Sequence, residues 1–104
     1  MIVELRTYTI KPGGVPAYLD VYMREAMEVQ KKHLPHMVGY FSTDIGPLNQ
    51  IVHMWGYADL NERARCRDAL YADPAWQVAV KKLLELIDVM ETKILVPTIF
   101  SPIK

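Results

Sequence analysis

Cysteine occurs once, at Cys66, which excludes an intrachain disulfide and any zinc cluster built on cysteines. Net charge is missing too, because twelve Lys and Arg balance twelve Asp and Glu. A balanced chain offers no field to hold a nucleic-acid backbone or an anionic membrane surface, so neither partner is expected. No apolar run approaches the ~20 residues that a bilayer-spanning helix needs. Residues 1–10 read as a strand rather than a signal or transit segment, so a soluble cytoplasmic protein is the expectation. A G-x-S-x-G elbow, a phosphate-cradling glycine loop and paired-carboxylate spacing are also absent, leaving hydrolase and kinase chemistry without support.

What the chain does have is apolar and aromatic material: 51% of its 104 residues are hydrophobic, with six methionines, six tyrosines and two tryptophans. That length makes one domain, residues 1–104, with room for a single core. So much apolar surface in a small domain points to a share of it being buried against a second copy, so a homodimer is expected.

Period and punctuation divide the chain into six elements. Residues 2–11 alternate as a strand and stop at Lys11-Pro12-Gly13-Gly14. Val15, Tyr18, Leu19, Tyr22, Met23, Ala26 and Val29 recur at three- and four-residue steps, predicting a helix from Val15 to His33, which Pro35 ends. Strands are predicted from Met37 to Ile45 and from Gln50 to Ala58, joined through Gly46-Pro47-Leu48-Asn49. Asp59 is placed to cap a helix starting at Leu60. Asp73 and Pro74 restart a helix carrying Trp76, Val80, Leu83, Leu84 and Ile87, and a last strand covers Val89–Val96. The order β-α-β-β-α-β predicts an α+β protomer of ferredoxin-like type, with the first and third strands central in a four-stranded antiparallel sheet. Helices cover only one face of such a sheet. Two bare faces packed together would make a dimeric α+β barrel.

The first strand carries the main functional signal. Alternation groups Glu4, Arg6 and Tyr8 on one face, Ile51, His53, Trp55 and Tyr57 on the third strand, and Glu91 with Lys93 and Leu95 on the fourth. If these sets share a face, Arg6, Tyr8, His53, Trp55 and Glu91 form a polar-aromatic cluster suited to a small anionic or carbonyl-bearing ligand, with Tyr57 and Trp76 as further wall residues. In that arrangement Arg6 binds an oxyanion through paired hydrogen bonds, and His53, titrating near neutrality, is the best acid or base available. These two are the candidate catalytic residues. A structural reading stands beside this one: Arg6 pairs across the sheet with Glu91 or with Glu4 at a buried seam, and no ligand is involved.

Other features carry less. His33 and His36 form H-x-x-H, but Pro35 lies between them and no third ligand is near, so no metal is expected. Arg63, Arg65 and Arg67 surround Cys66 and would lower its thiol pKa, although a packing role and a solvated arginine face explain the same pattern.

MIVELRTYTIKPG at the start, NQIVHMWGYADLNER in the middle, and DPAW with METKILVP near the end resemble the NIPSNAP family, across Ile2 to about Pro102. The resemblance implies the dimeric α+β-barrel fold. It implies no settled activity, because the family's cellular roles in vesicle traffic and mitochondrial quality control belong to larger relatives. The barrel is shared with cofactor-independent monooxygenases of antibiotic synthesis and with small haem-degrading monooxygenases, whose ligand sits between sheet and helices. Aligned on Lys11-Pro12-Gly13, Arg6 falls where the haem-degrading enzymes carry an amide, and Trp55 where they carry a tryptophan. Their catalytic histidine has no counterpart, that segment offering Trp76 and Lys81, so no cofactor is expected. The function implied is a homodimeric small-molecule-binding protein or a cofactor-independent enzyme of oxygenase or isomerase type; the alternative is a non-catalytic protein-interaction module.

Overall fold

Alternating apolar residues and β-branched content make the opening segment the centre of the sheet. In a computed structural model describing residues 1–104, β1 runs Ile2–Ile10 and pairs antiparallel with both β3 (Gln50–Tyr57) and β4 (Ile87–Leu95), while β2 (Met37–Ser42) pairs with β3. The spatial order β2-β3-β1-β4 has the expected central pair and edges. Gly13, at φ 79°, makes the turn after β1 that a side chain would strain.

The first helical stretch is continuous but not uniform. It consists of α1 (Val15–Val21), a π-helical segment (Tyr22–Ala26) and α2 (Met27–His33), with Pro16 in the first turn. Tyr18, Tyr22 and Ala26, four apart, are all buried along it. Such π segments are uncommon and gather at functional sites. Here Tyr22 belongs both to the segment and to the cavity described below.

The second helical stretch starts where Asp59 accepts a hydrogen bond from Glu62 N at 2.8 Å, while Glu62 reaches back to Ala58 N, a reciprocal cap for α3 (Leu60–Ala72). Asp73 then caps α4 (Pro74–Leu84), accepting from Ala75 N at 3.0 Å with Pro74 in the first turn. The other oxygen of Asp73 meets His33 Nε2 at 2.8 Å, tying the end of α2 to this junction.

Two boundaries differ from expectation. β2 stops at Ser42 rather than Ile45, because Gly46 (φ 123°) and Asn49 (φ 62°) turn the chain, and Pro47 has no N–H for a ladder. α4 ends at Leu84, and Ile87 begins β4 instead of closing the helix.

All helices lie on one face of the sheet, and the core of Ile10, Tyr18, Ala26, Leu34, Ile51, Trp55, Leu70 and Ala79 sits between the two layers. The molecule measures 19 Å along its shortest axis, the depth of two layers and not three. Across the opposite face run Val3, Leu5, Val52 and Met54, with Phe41, Val89 and Leu95 largely exposed.

Candidate functional site

Strand register decides which side chains meet. Glu4, Arg6 and Tyr8 stand opposite Trp55, His53 and Ile51 on one side and opposite Ile94, Thr92 and Met90 on the other. All of these face the helices. Glu91 does not join them: it pairs with Thr7 and projects from the open face, as Lys93 does opposite Leu5 and Leu95 opposite Val3. A regular ladder pairs Val3–Thr9 with Leu95–Val89 and shifts only between Thr9 and Ile10, and one residue of slip sends every side chain of a strand to the other face.

Glu4 is the hub of the polar part. It is completely buried. Its Oε2 accepts from Arg6 Nη1 at 2.9 Å, Arg63 Nη2 at 2.9 Å and Thr92 Oγ1 at 2.7 Å, and its Oε1 accepts from Arg63 Nε at 3.1 Å. Arg67 Nη1 stands 3.9 Å from Oε1. Burial alone would raise the Glu4 pKa, but the bonds from Arg63 and Thr92 and the charges of Arg6 and Arg67 prevail and bring it down to about 2. Arg6 also donates Nε to Tyr8 Oη at 2.8 Å, so its ion-pair partner is Glu4 and not Glu91.

The aromatic part centres on His53, which is 1% exposed. Its ring stacks on Tyr40 at 4.5 Å between centroids and meets the edge of Tyr8 at 4.8 Å. Trp55 Nε1 donates to His53 Nδ1 at 2.8 Å. An indole N–H can only donate, so Nδ1 accepts and the proton of the neutral imidazole resides on Nε2. Burial, reinforced by the nearby Arg6 charge, lowers the His53 pKa to about 3. At neutral pH His53 is therefore a hydrogen-bond donor. It is not the titrating acid or base expected from residue type alone.

A cavity of about 30 Å³ lies between sheet and helices, walled by Tyr8, Tyr18, Tyr22, Tyr40, His53 and Trp76 among others. His53 Nε2 and Trp76 Nε1 are both buried and without a partner. The phenols are occupied: Tyr18 and Tyr40 share a bond at 2.8 Å, and Tyr22 donates to Gln30 Oε1 at 2.6 Å. Burial raises the pKa of all three, so each stays protonated.

The predicted site residues thus divide. Tyr8, His53 and Trp76 meet at the cavity, and Arg6 adjoins it through Tyr8. Trp55 stands behind His53 and holds its tautomer. Tyr57 lies buried toward Arg63 and Arg67, with its hydroxyl unpartnered. Arg63, Arg67, Thr92, Tyr18, Tyr22 and Tyr40 were not singled out as site residues from the sequence. The i,i+4 pair Tyr18 and Tyr22 was visible in the helical periodicity, but only the fold turns it toward His53. Burial raises the Cys66 thiol pKa, contrary to the lowering expected from its arginine neighbours. No group of three His, Cys, Asp or Glu side chains is arranged to hold a metal ion. No helix is long and apolar enough to cross a membrane.

A four-stranded antiparallel sheet with its helices on one face defines an α+β ferredoxin-like fold, which known proteins share. The chain matches the NIPSNAP family over residues 3–102 and belongs to that family. A NIPSNAP family protein of unknown function from Agrobacterium tumefaciens is similar throughout, with 48% identity and a TM-score of 0.97 over 100% of this chain and 94% of that one. Among curated relatives, the NipSnap homolog of Dictyostelium discoideum is 37% identical over 90% of this chain. NipSnap homolog 1 of Danio rerio is 34% identical over 99%. The chain spans only 41% and 36% of the lengths of these two relatives. A putative antibiotic biosynthesis monooxygenase from Nitrosomonas europaea shares the fold, at TM-score 0.69 over 96% of this chain and 100% of that one, but only 12% of the sequence.

Proposed function

We propose that this NIPSNAP domain binds a small, partly apolar molecule carrying a carbonyl or anionic oxygen, in the cavity between sheet and helices. The two unpartnered donors, His53 Nε2–H and Trp76 Nε1–H, carry this reading. A buried donor left without an acceptor costs about 1–3 kcal/mol, a penalty that a ligand oxygen removes. Aromatic walls with a few polar groups match the general chemistry of small-molecule sites.

The same groups limit the chemistry. No cavity side chain is a ready base at neutral pH: the tyrosines Tyr18, Tyr22 and Tyr40 stay protonated and His53 Nδ1 is occupied. Cofactor-free oxygenase or isomerase chemistry here requires a substrate acidic enough to ionise by itself, with His53 and Trp76 stabilising the resulting enolate oxygen. The space of about 30 Å³ admits about two water molecules, so a larger ligand requires the elements around the cavity, α4 and the π-helical segment among them, to move apart. On the surface Lys82 Nζ and Glu25 Oε1, 2.7 Å apart, join these two elements.

The open sheet face supports a homodimer. Leu5, Phe41, Val52 and Met54 give it an apolar centre of the kind that a second sheet covers, with Glu91 and Lys93 between Val89 and Leu95 along the β4 edge. A second reading, a non-catalytic protein-interaction module, is favoured by the small cavity and by the bonds that tie Nε and Nη1 of Arg6 to Tyr8 and Glu4.

Native mass spectrometry, ramped from gentle to denaturing conditions, tests the binding reading. Its expected result is a protein-bound small molecule released on unfolding. A ligand-free protein whose His53 ring resonances also stay fixed across a series of 1,3-dicarbonyl compounds favours the interaction module.

A further inference from the structure

The Glu4 cluster holds more positive charge than its one carboxylate neutralises. Arg6, Arg63 and Arg67 all lie within 4 Å of the Glu4 carboxylate, at 2.9, 2.9 and 3.9 Å, and no other carboxylate pairs with any of them. Three guanidiniums against one carboxylate leave an excess of two charges, on side chains that are 13%, 26% and 18% exposed. Glu4 offsets only one of these charges, and the remaining guanidiniums, held this close and this far from water, repel one another unless a further anion joins them.

The donors left over are specific. Glu4 consumes the fork of Arg63 through Nε and Nη2. Arg6 uses Nε on Tyr8 and Nη1 on Glu4, so its Nη2 has no protein acceptor. Arg67 gives Nη2 to Tyr71 Oη and stacks over that ring, while its Nη1 is beyond hydrogen-bond distance of Glu4. Tyr57, 3% exposed, has a buried hydroxyl with no partner, in a setting whose charged groups are Glu4, Arg67 and Arg63.

We propose that Arg6, Arg67 and Tyr57 form an oxyanion-binding subsite beside Glu4, which takes the carboxylate or phosphate group of an organic anion. Planar guanidinium donors suit the paired oxygens of either group. Glu4 is a positioning residue here: it anchors Arg6 and Arg63, and its own charge sets the excess at two rather than three. The subsite deepens the ligand-binding reading by supplying an anionic end, because Arg6 bonds the Tyr8 hydroxyl and Tyr8 walls the cavity. A ligand spanning both places would present its carbonyl oxygen to His53 and Trp76 and its anionic group to the arginines.

The test is thermal unfolding of the full chain in sodium phosphate, in sodium succinate and in sodium chloride at matched ionic strength. Phosphate or succinate should raise the Tm above chloride in a saturable way. A response to phosphate alone assigns a phosphate-bearing ligand, and a response to succinate alone a carboxylate. Arg67→Gln should weaken this binding by about tenfold or more, the loss expected for one hydrogen bond to a charged group, while Arg65→Gln should not. Tyr57→Phe removes only the unpartnered oxygen, so it should weaken the anion response without lowering the Tm in chloride. Equal Tm values in all three salts, or a full response retained in both Arg67→Gln and Tyr57→Phe, would overturn the subsite. The His53 resonances report the cavity separately, so failure here leaves that reading standing.

Discussion

Trp55 Nε1 donates to His53 Nδ1 across 2.8 Å, between residues two apart on the same strand and the same sheet face. Alternation along β3 makes these side chains neighbours, and the one-way hydrogen bonding of indole makes the imidazole a neutral donor. A residue chosen for its acid–base capacity becomes a fixed dipole aimed at the cavity.

Trp55→Phe should release that constraint. Nitrogen-15 spectra of the wild-type imidazole should show one neutral tautomer, protonated at Nε2, throughout pH 5–8. The variant should show a mixture of tautomers and lose about 1–3 kcal/mol of stability, since it leaves a buried acceptor unpaired. An unchanged spectrum would mean that Trp55 does not set the tautomer.

Acid should destabilise the protein in two stages. The His53 pKa falls from an ordinary 6.5 to about 3 in the folded state, so the unfolded chain takes the proton first. The stability this residue contributes is complete above pH 6.5 and fades as pH falls toward 3, at up to about 1.4 kcal/mol per pH unit. Glu4, lowered from 4.5 to about 2, adds a second loss as pH falls from 4.5 toward 2. Urea unfolding at a series of pH values checks both stages, and a His53→Phe variant should lack the first while keeping the second.

Glu4→Gln should be among the most damaging conservative changes in the chain. It removes the one negative charge among Arg6, Arg63 and Arg67, and breaking a buried pair in this way costs about 3–5 kcal/mol. Asp20→Asn, which breaks the exposed pair with Arg24 on the helix surface, should leave the unfolding midpoint where it is. Denaturation midpoints of the two variants side by side check the contrast.

The open face should control assembly. Light scattering at micromolar concentration should give twice the chain mass, and Met54→Glu, opposite Leu5 on that face, should give a folded monomer. A wild-type monomer with intact secondary structure would remove the dimer.

Much of this architecture was legible locally. The shift from two-residue to three- and four-residue periodicity located the helices, and Asp59 and the Asp73-Pro74 step marked the starts of α3 and α4 through capping chemistry that neighbouring residues complete. The shared face of Glu4, Arg6 and Tyr8, and that of His53, Trp55 and Tyr57, followed from alternation within single strands. The phase of β4 did not. Its alternation is equally consistent with either face, and only the pairing with β1 turns Glu91 outward, opposite Thr7, and brings Thr92 onto Glu4.

What the sequence determined by itself, then, is the order of elements, the central position of β1, the family and the residue types available for chemistry. These depend on periodicity, caps and turns, which are short-range. Which charges meet was decided by tertiary structure alone: Arg63 and Arg67 reach Glu4 from a helix about sixty residues away, and Tyr18, Tyr22 and Tyr40 close around His53 from two further elements. Burial then held a histidine neutral, and the arginines packed around Glu4 held a buried carboxylate ionised. The cost of a charge depends on the dielectric and the partners around it, and those exist only once the layers have packed.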